Sequence, residues 1–76
     1  MAERKTVKDF YGYIIGTLED GPNDIIAKDR FGKILGKFDK RQGVTKDFYG
    51  RILGQGDLTS ALIWDSDRKL RPQKYK

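Results

Sequence analysis

Apolar residues along the chain come in short pairs separated by polar turns. Thr6-Val7, Ile26-Ala27, Val44-Thr45 and Leu62-Ile63 each precede an Asp by two or three residues, and Ile14-Ile15, Ile34-Leu35 and Ile52-Leu53 each follow a Gly. Between the two members of a unit stands D-x-x-G: DFYG at Asp9–Gly12, DRFG at Asp29–Gly32 and DFYG again at Asp47–Gly50. Asp at the first position and Gly at the fourth suit a type I turn whose Gly takes the left-handed conformation that closes a hairpin with a bulge. Paired β-formers on either side of such a turn predict a β-hairpin. No segment sustains the i, i+3, i+4 apolar spacing of a helix, so the pattern predicts an all-β fold.

Aligned on their Asp residues, the units form a tandem repeat. TVKDFYGYIIGTL, IAKDRFGKILGKF and VTKDFYGRILGQG share K-D-x-[FY]-G-x-I-[IL]-G, and LIWDSDRKLRP reads as a fourth, decayed copy. The Asp residues 9, 29, 47 and 65 lie 20, 18 and 18 residues apart, a period found in stacked repeats. The units run about 6–19, 26–39, 44–57 and 62–70 within a single domain over residues 1–70, and 71–76 form a basic C-terminal tail. EDGPND, DKRQG and QGDLTS join them, and Pro22 excludes a central strand there.

Single hairpins are marginal in water, so the units must share a core. Two arrangements satisfy this: hairpins stacked as a short solenoid-like sheet, or one curled antiparallel β-meander. Stacking explains more of the pattern. It lines up Ile14, Ile34, Ile52 and Leu70 as an apolar column and Tyr11, Phe31 and Tyr49 as an aromatic one, and it makes the fourth unit a polar cap. On that reading the rings at the third turn position stack one hairpin on the next, whereas Phe10 and Phe48, replaced by Arg30 in the middle unit, stay available to a partner. Gly16, Gly36 and Gly54 sit inside the returning strands, where glycine weakens a strand unless a bend or a close approach requires it.

The segments TKDFYGRILGQGDLTSALI and KDRFGKILGKFDK resemble small uncharacterised bacterial proteins with tandem D-[FY]-Y-G-[RK]-I-[LI]-G hairpin units, over about residues 6–64. That resemblance implies repeated hairpins and carries no activity. D-x-x-G-x-I is also similar to the turn of choline-binding cell-wall repeats, which are stacked hairpins that box a quaternary ammonium with Trp and Tyr. Here Trp64 is the one tryptophan.

Composition narrows the chemistry. With no Cys and no His, the usual zinc sets and the Ser-His and Cys-His nucleophile pairs cannot be built. Asp9, Asp29, Asp47 and Asp65 could be read as a carboxylate column for calcium, but each is committed to a turn and all but Asp65 follow a Lys. No catalytic residue, cofactor or metal is therefore expected, and the chain is read as a non-enzyme. MAERKTVKDF carries charge where a secretory leader needs an apolar run, which places the expected site of action in the cytoplasm, with no membrane partner.

The net charge of +5 has a definite location: residues 1–67 carry eleven cations and eleven anions, so the excess lies in Arg68, Lys69, Arg71, Lys74 and Lys76. The function expected is a structural or protein-interaction module whose partner is another protein or a second copy, joined through Val7, Phe10 and Tyr11 of the first unit. The alternative is weak binding of single-stranded nucleic acid or another polyanion, because rings interleaved with cations suit base stacking. The candidate surface for either is Phe10, Phe48, Tyr49, Lys33, Arg51, Arg68, Lys69 and Arg71.

Overall fold

The computed structural model describes residues 3–75; of the basic tail, Lys76 and the side chain of Lys74 lie outside the described residues. Six strands, β1 (Glu3–Lys8), β2 (Ile14–Asp20), β3 (Asp24–Asp29), β4 (Ile34–Asp39), β5 (Val44–Asp47) and β6 (Ile52–Gln55), precede one helix, α1 (Thr59–Leu70), and a short 3-10 turn at Pro72–Tyr75. The strands form one antiparallel sheet in the order β1-β2-β3-β4-β5-β6. The three expected hairpins are β1–β2, β3–β4 and β5–β6. They lie edge to edge in a meander, with β2 hydrogen-bonded to β3 and β4 to β5. No described helix is long and apolar enough to cross a membrane.

Each hairpin has a bulge where its register shifts, between Val7 and Lys8, Ala27 and Lys28, and Thr45 and Lys46. The extra residue on the returning strand lets Ile15 and Gly16 both serve one face, while Ile14 looks out on the other. The apolar pairs after the turns therefore straddle the sheet instead of burying together.

The expected fourth hairpin is instead α1, and the fold is mostly β rather than all-β. Ala61, Leu62, Arg68, Lys69 and Leu70 are good helix formers, no glycine closes a turn at Arg68, and the basic last turn complements the helix dipole. The helical period is carried by Thr59, Ile63 and Asp67, the three buried positions of α1. Two of these are polar, so a search for apolar spacing passes over them. Ahead of the first turn, the Asp57 carboxylate accepts the Thr59 N–H at 3.0 Å and also the Thr59 hydroxyl.

α1 crosses one face of the sheet, chiefly over β2, β3 and β4. Its route explains the second glycine of each hairpin. A Cβ added at Gly16 would lie 2.5 Å from the Lys28 carbonyl oxygen and 2.6 Å from Ile63 Cγ2. One added at Gly36 would meet the Lys46 carbonyl oxygen and, at 2.8 Å, Leu62 Cδ1, while one at Gly54 would meet Leu58 Cδ1 at 2.9 Å. Three apolar side chains at or just before the helix thus seat on three glycines. The core around them is thin: Ile15, Ala27 and Ile63 are buried, and Val7, Leu18, Leu35, Leu62 and Trp64 pack against them half-buried. Thr45, fully buried, pins the link from β6 to α1 by donating to the Gly56 carbonyl at 2.7 Å and accepting the Leu58 N–H at 2.9 Å.

Gly36→Ala should destabilise the protein by about 1–3 kcal/mol, because the neighbouring backbone must move. Gly54→Ala meets only the end of a flexible leucine and should cost less than about 1 kcal/mol. Urea unfolding of the two variants measures the difference, and equal losses would show that α1 does not sit on the glycines in this order.

Candidate interaction surface

The three D-x-x-G turns emerge at one end of the sheet, each held by the same bonds. Asp9 Oδ1 accepts the N–H groups of Tyr11 at 2.8 Å and Tyr13 at 2.9 Å, Gly12 N–H donates to the Asp9 carbonyl at 3.0 Å, and Asp9 N–H donates to the Tyr13 carbonyl at 2.9 Å. Asp29 accepts in the same way from Phe31 and Lys33, and Asp47 from Tyr49 and Arg51. Gly12 closes its turn at φ +87°, in the left-handed region. With the Asp side chain folded inward over the turn amides, the two central residues turn their side chains to solvent.

The third-position rings are exposed by 68% at Tyr11, 70% at Phe31 and 78% at Tyr49, so they do not stack one hairpin on the next. The reason is geometric. Successive turns stand two strand spacings apart, about 9.5 Å, and a side chain at the tip points away from the sheet rather than along it. Phe10 and Phe48 are exposed by 58% and 60%. Ring contacts form within the turns, Phe10 with Tyr11 at 4.7 Å and Phe48 with Tyr49 at 5.4 Å between centroids, and Phe10 stacks on Trp64 at 6.1 Å. The Arg30 guanidinium lies 4.8 Å from the centre of the Phe31 ring, and that of Arg51 lies 5.7 Å from Tyr49.

The residues singled out from the sequence divide into two groups. Phe10, Lys33, Phe48, Tyr49 and Arg51 belong to the turn edge. Lys69 is on α1, paired with Asp65 at 3.2 Å, and lines one groove with Lys33; exposed Arg68 lines another with Trp64. Arg71, the first residue of the expected tail, is structural. Its guanidinium lies 2.7 Å from Asp67 and 3.8 Å from Asp9, and both carboxylates are buried. It thereby ties the end of α1 to the first turn.

The expected apolar column is also on the outside. Ile14, Ile34 and Ile52 lie on the sheet face away from α1 and are exposed by 50%, 40% and 63%. The signal for this was available: two adjacent apolar residues on a strand point to opposite faces unless a bulge intervenes. Two grooves open on that face at equivalent places. One, of about 410 Å³, runs from Ile26 and Ile34 to the Phe48–Gly50 turn and is mostly apolar. The other, of about 260 Å³, runs from Ile14 to the Asp29–Gly32 turn and is lined by Arg4, Glu19, Lys28 and Arg30.

Charges on this face are largely matched. Glu19 sits 2.9 Å from Lys28 and 3.3 Å from Arg4, and Lys46 lies 3.7 Å from Asp39. The hydrogen bond from Lys28 holds Glu19 below its ordinary pKa, and that from Lys40 does the same for Asp20. Partial burial pushes Asp39 upward, but the Arg41 and Gln42 amides together with Lys46 and Lys37 outweigh it and leave the group lowered. Among the described residues no group of three or more acidic side chains is placed to hold a metal ion. No protein-family model matches the chain, and no characterised protein or solved structure is significantly similar to it.

Arg71→Ala should cost about 3 kcal/mol, the low end for breaking a buried ion pair because Arg71 is one-third open to water; a thermal melt unchanged from wild type would contradict this. Because Glu19, Asp20 and Asp39 have lowered pKa values when folded, their contribution is present above the unfolded carboxylate values and lost as pH falls through the folded ones. The urea midpoint should therefore drop on acidification below the ordinary carboxylate range, and a midpoint flat with pH would contradict the ion pairs.

Proposed function

We propose that the chain is a non-catalytic interaction module, acting in the cytoplasm, that engages a protein partner through its row of aromatic turns. One observation carries this reading: five rings, at Phe10, Tyr11, Phe31, Phe48 and Tyr49, stand mostly in solvent on a chain with a very thin core. A ring can bury 150–250 Å² on binding, and large exposed apolar side chains gathered at one end of a sheet suit an interaction site. Phe, Tyr and Arg are also the residues enriched where protein interfaces concentrate their binding energy. The charged groups have other tasks: the turn carboxylates accept backbone amides, Asp57 accepts from Thr59, and Glu19 and Asp39 lie in ion pairs.

The placement of Arg30 over Phe31 and Arg51 beside Tyr49 favours a second reading, single-stranded nucleic acid or another polyanion. The protein reading is preferred for electrostatic reasons. Arg51 is 3.4 Å from Asp47, Lys69 is paired with Asp65, Arg71 is held by Asp67, and a carboxylate stands at the base of every turn to repel phosphate.

Replacing Phe48 and Tyr49 by Ala should leave stability within about 0.5 kcal/mol of wild type, as befits exposed side chains. A photo-crosslinking residue at position 49 should yield a discrete protein adduct in cells, whereas one at position 23, at the far end of the sheet, should not. Titration with oligo-dT should leave Trp64 fluorescence unchanged at physiological salt. Oligonucleotide binding that weakens steeply with salt would replace this reading by the polyanion one, and equal adducts at both positions would remove the turn edge as the site.

A further inference from the structure

β2 and β4 hold the same place in their hairpins, and each carries the first strand of the next hairpin on its far edge. Gly16 stands opposite Asp29 and Thr17 opposite Lys28; Gly36 stands opposite Asp47 and Lys37 opposite Lys46. These junctions are closed by equivalent ion pairs, Lys28 with Glu19 and Lys46 with Asp39, in which the acid lies three residues after the glycine. β6 is the third strand of this kind, with the same bulge and the same glycine at Gly54, but as the last strand of the sheet it has no neighbouring strand on its far edge among the described residues. Its series stops short of the acid: β6 ends at Gln55, Gly56 turns the chain at φ +81°, and the carboxylate of Asp57, three residues after Gly54, accepts from Thr59 at the start of α1. β1 is the complementary case: it is a first strand like β3 and β5, ending at Lys8 just before Asp9, and its outward edge carries no strand among the described residues. Lys8 is exposed there.

At the residues next to the turns, the two free edges of one molecule thus repeat the two halves of a junction that occurs twice inside it. We propose that copies of the chain associate head to tail, β1 of one copy adding to β6 of the next, with Asp9 of the incoming copy opposite Gly54 and its Lys8 opposite Gln55. This inference rests on the interaction-module reading and names the partner as a second copy. The outer face carries the same series. Ile14 and Ile34 each face the turn of the following hairpin across a groove, while Ile52, the most exposed of the three, faces none. The first turn of the incoming copy, with Tyr11 exposed on it, supplies the missing wall. Backbone pairing of this type gives affinity through main-chain hydrogen bonds. It is heterologous, closing into a ring or running on as a filament according to the rotation between copies.

A heterologous contact can be tested by complementation. Gly56 N–H points to β5, donating to the Gly43 carbonyl at 2.7 Å, so strand alternation points Gln55 N–H outward. Asp9 N–H likewise donates to the Tyr13 carbonyl, which points Lys8 N–H outward; Gln55→Pro therefore blocks the β6 edge and Lys8→Pro the β1 edge, and both spare the ladder. Sedimentation equilibrium from micromolar to millimolar concentration should show wild type growing in mass and each variant associating about tenfold or more weakly. An equimolar mixture should form a one-to-one dimer and nothing larger, since each chain keeps one working edge. Wild-type amide resonances of Lys8 and Gln55 should shift with dilution while that of Asn23 does not, a measurement that needs no variant to fold. A wild type monomeric at millimolar concentration, dilution shifts absent from both edges, or a mixture that stays monomeric overturns the contact. If the adduct at position 49 persists in such a monomeric chain, the interaction-module reading stands without this partner.

Discussion

The seating of apolar side chains on strand glycines is the contact on which the rest of the structure depends. A sheet of three hairpins covered on one face by a single helix has little apolar surface to bury, and isolated hairpins are marginal in water. Glycine at positions 16, 36 and 54 removes the side chains that would hold α1 away and lets Ile63, Leu62 and Leu58 reach the backbone. Close approach matters more than area here, because dispersion falls off steeply with any gap. The conformational cost of three strand glycines, roughly 0.5–1 kcal/mol each relative to Ala, is offset by the helix they admit.

A second local device sets the direction of the rings. The Asp carboxylate that accepts two amides must fold over the turn, and it leaves the central residues nowhere to go but outward. Turn stability and ring exposure are therefore one feature. A mutation that freed the Asp side chain would loosen the hairpin and the presentation of its aromatics together.

Much of this was legible in the chain. The D-x-x-G turns, their hairpins and their bulges follow from residues whose backbone preferences are local. What the repeat concealed was the end of the pattern. Residues 62–70 share letters with the hairpins, yet without a turn glycine the segment takes the helical state, and of its buried stripe only Ile63 is apolar, Thr59 and Asp67 being held by Asp57 and Arg71. Reading Tyr11, Phe31 and Tyr49 as the contacts that stack one hairpin on the next set each ring against a neighbouring unit. Their exposure follows from turn geometry, which outranks composition at a hairpin tip. The separation of Arg71 from the rest of the basic tail had no sequence signal beyond its four-residue spacing from Asp67.

The path of α1 also decides what the sheet can do at its margins. At one end of the helix Leu58 rests on Gly54 of β6; at the other Arg71 holds Asp9 at the end of β1. The helix thus clamps the first and last hairpins through side chains on one face, without using the outward peptide groups of either edge strand. A helix laid along an edge would have shielded it, as many proteins do. Laid across the strands, chiefly over β2, β3 and β4, it lies along neither edge strand. The demand for a helix site over the glycines, met within a chain of 76 residues, is what leaves the aromatic turns, the outer isoleucines and the two unlike edges on the surface.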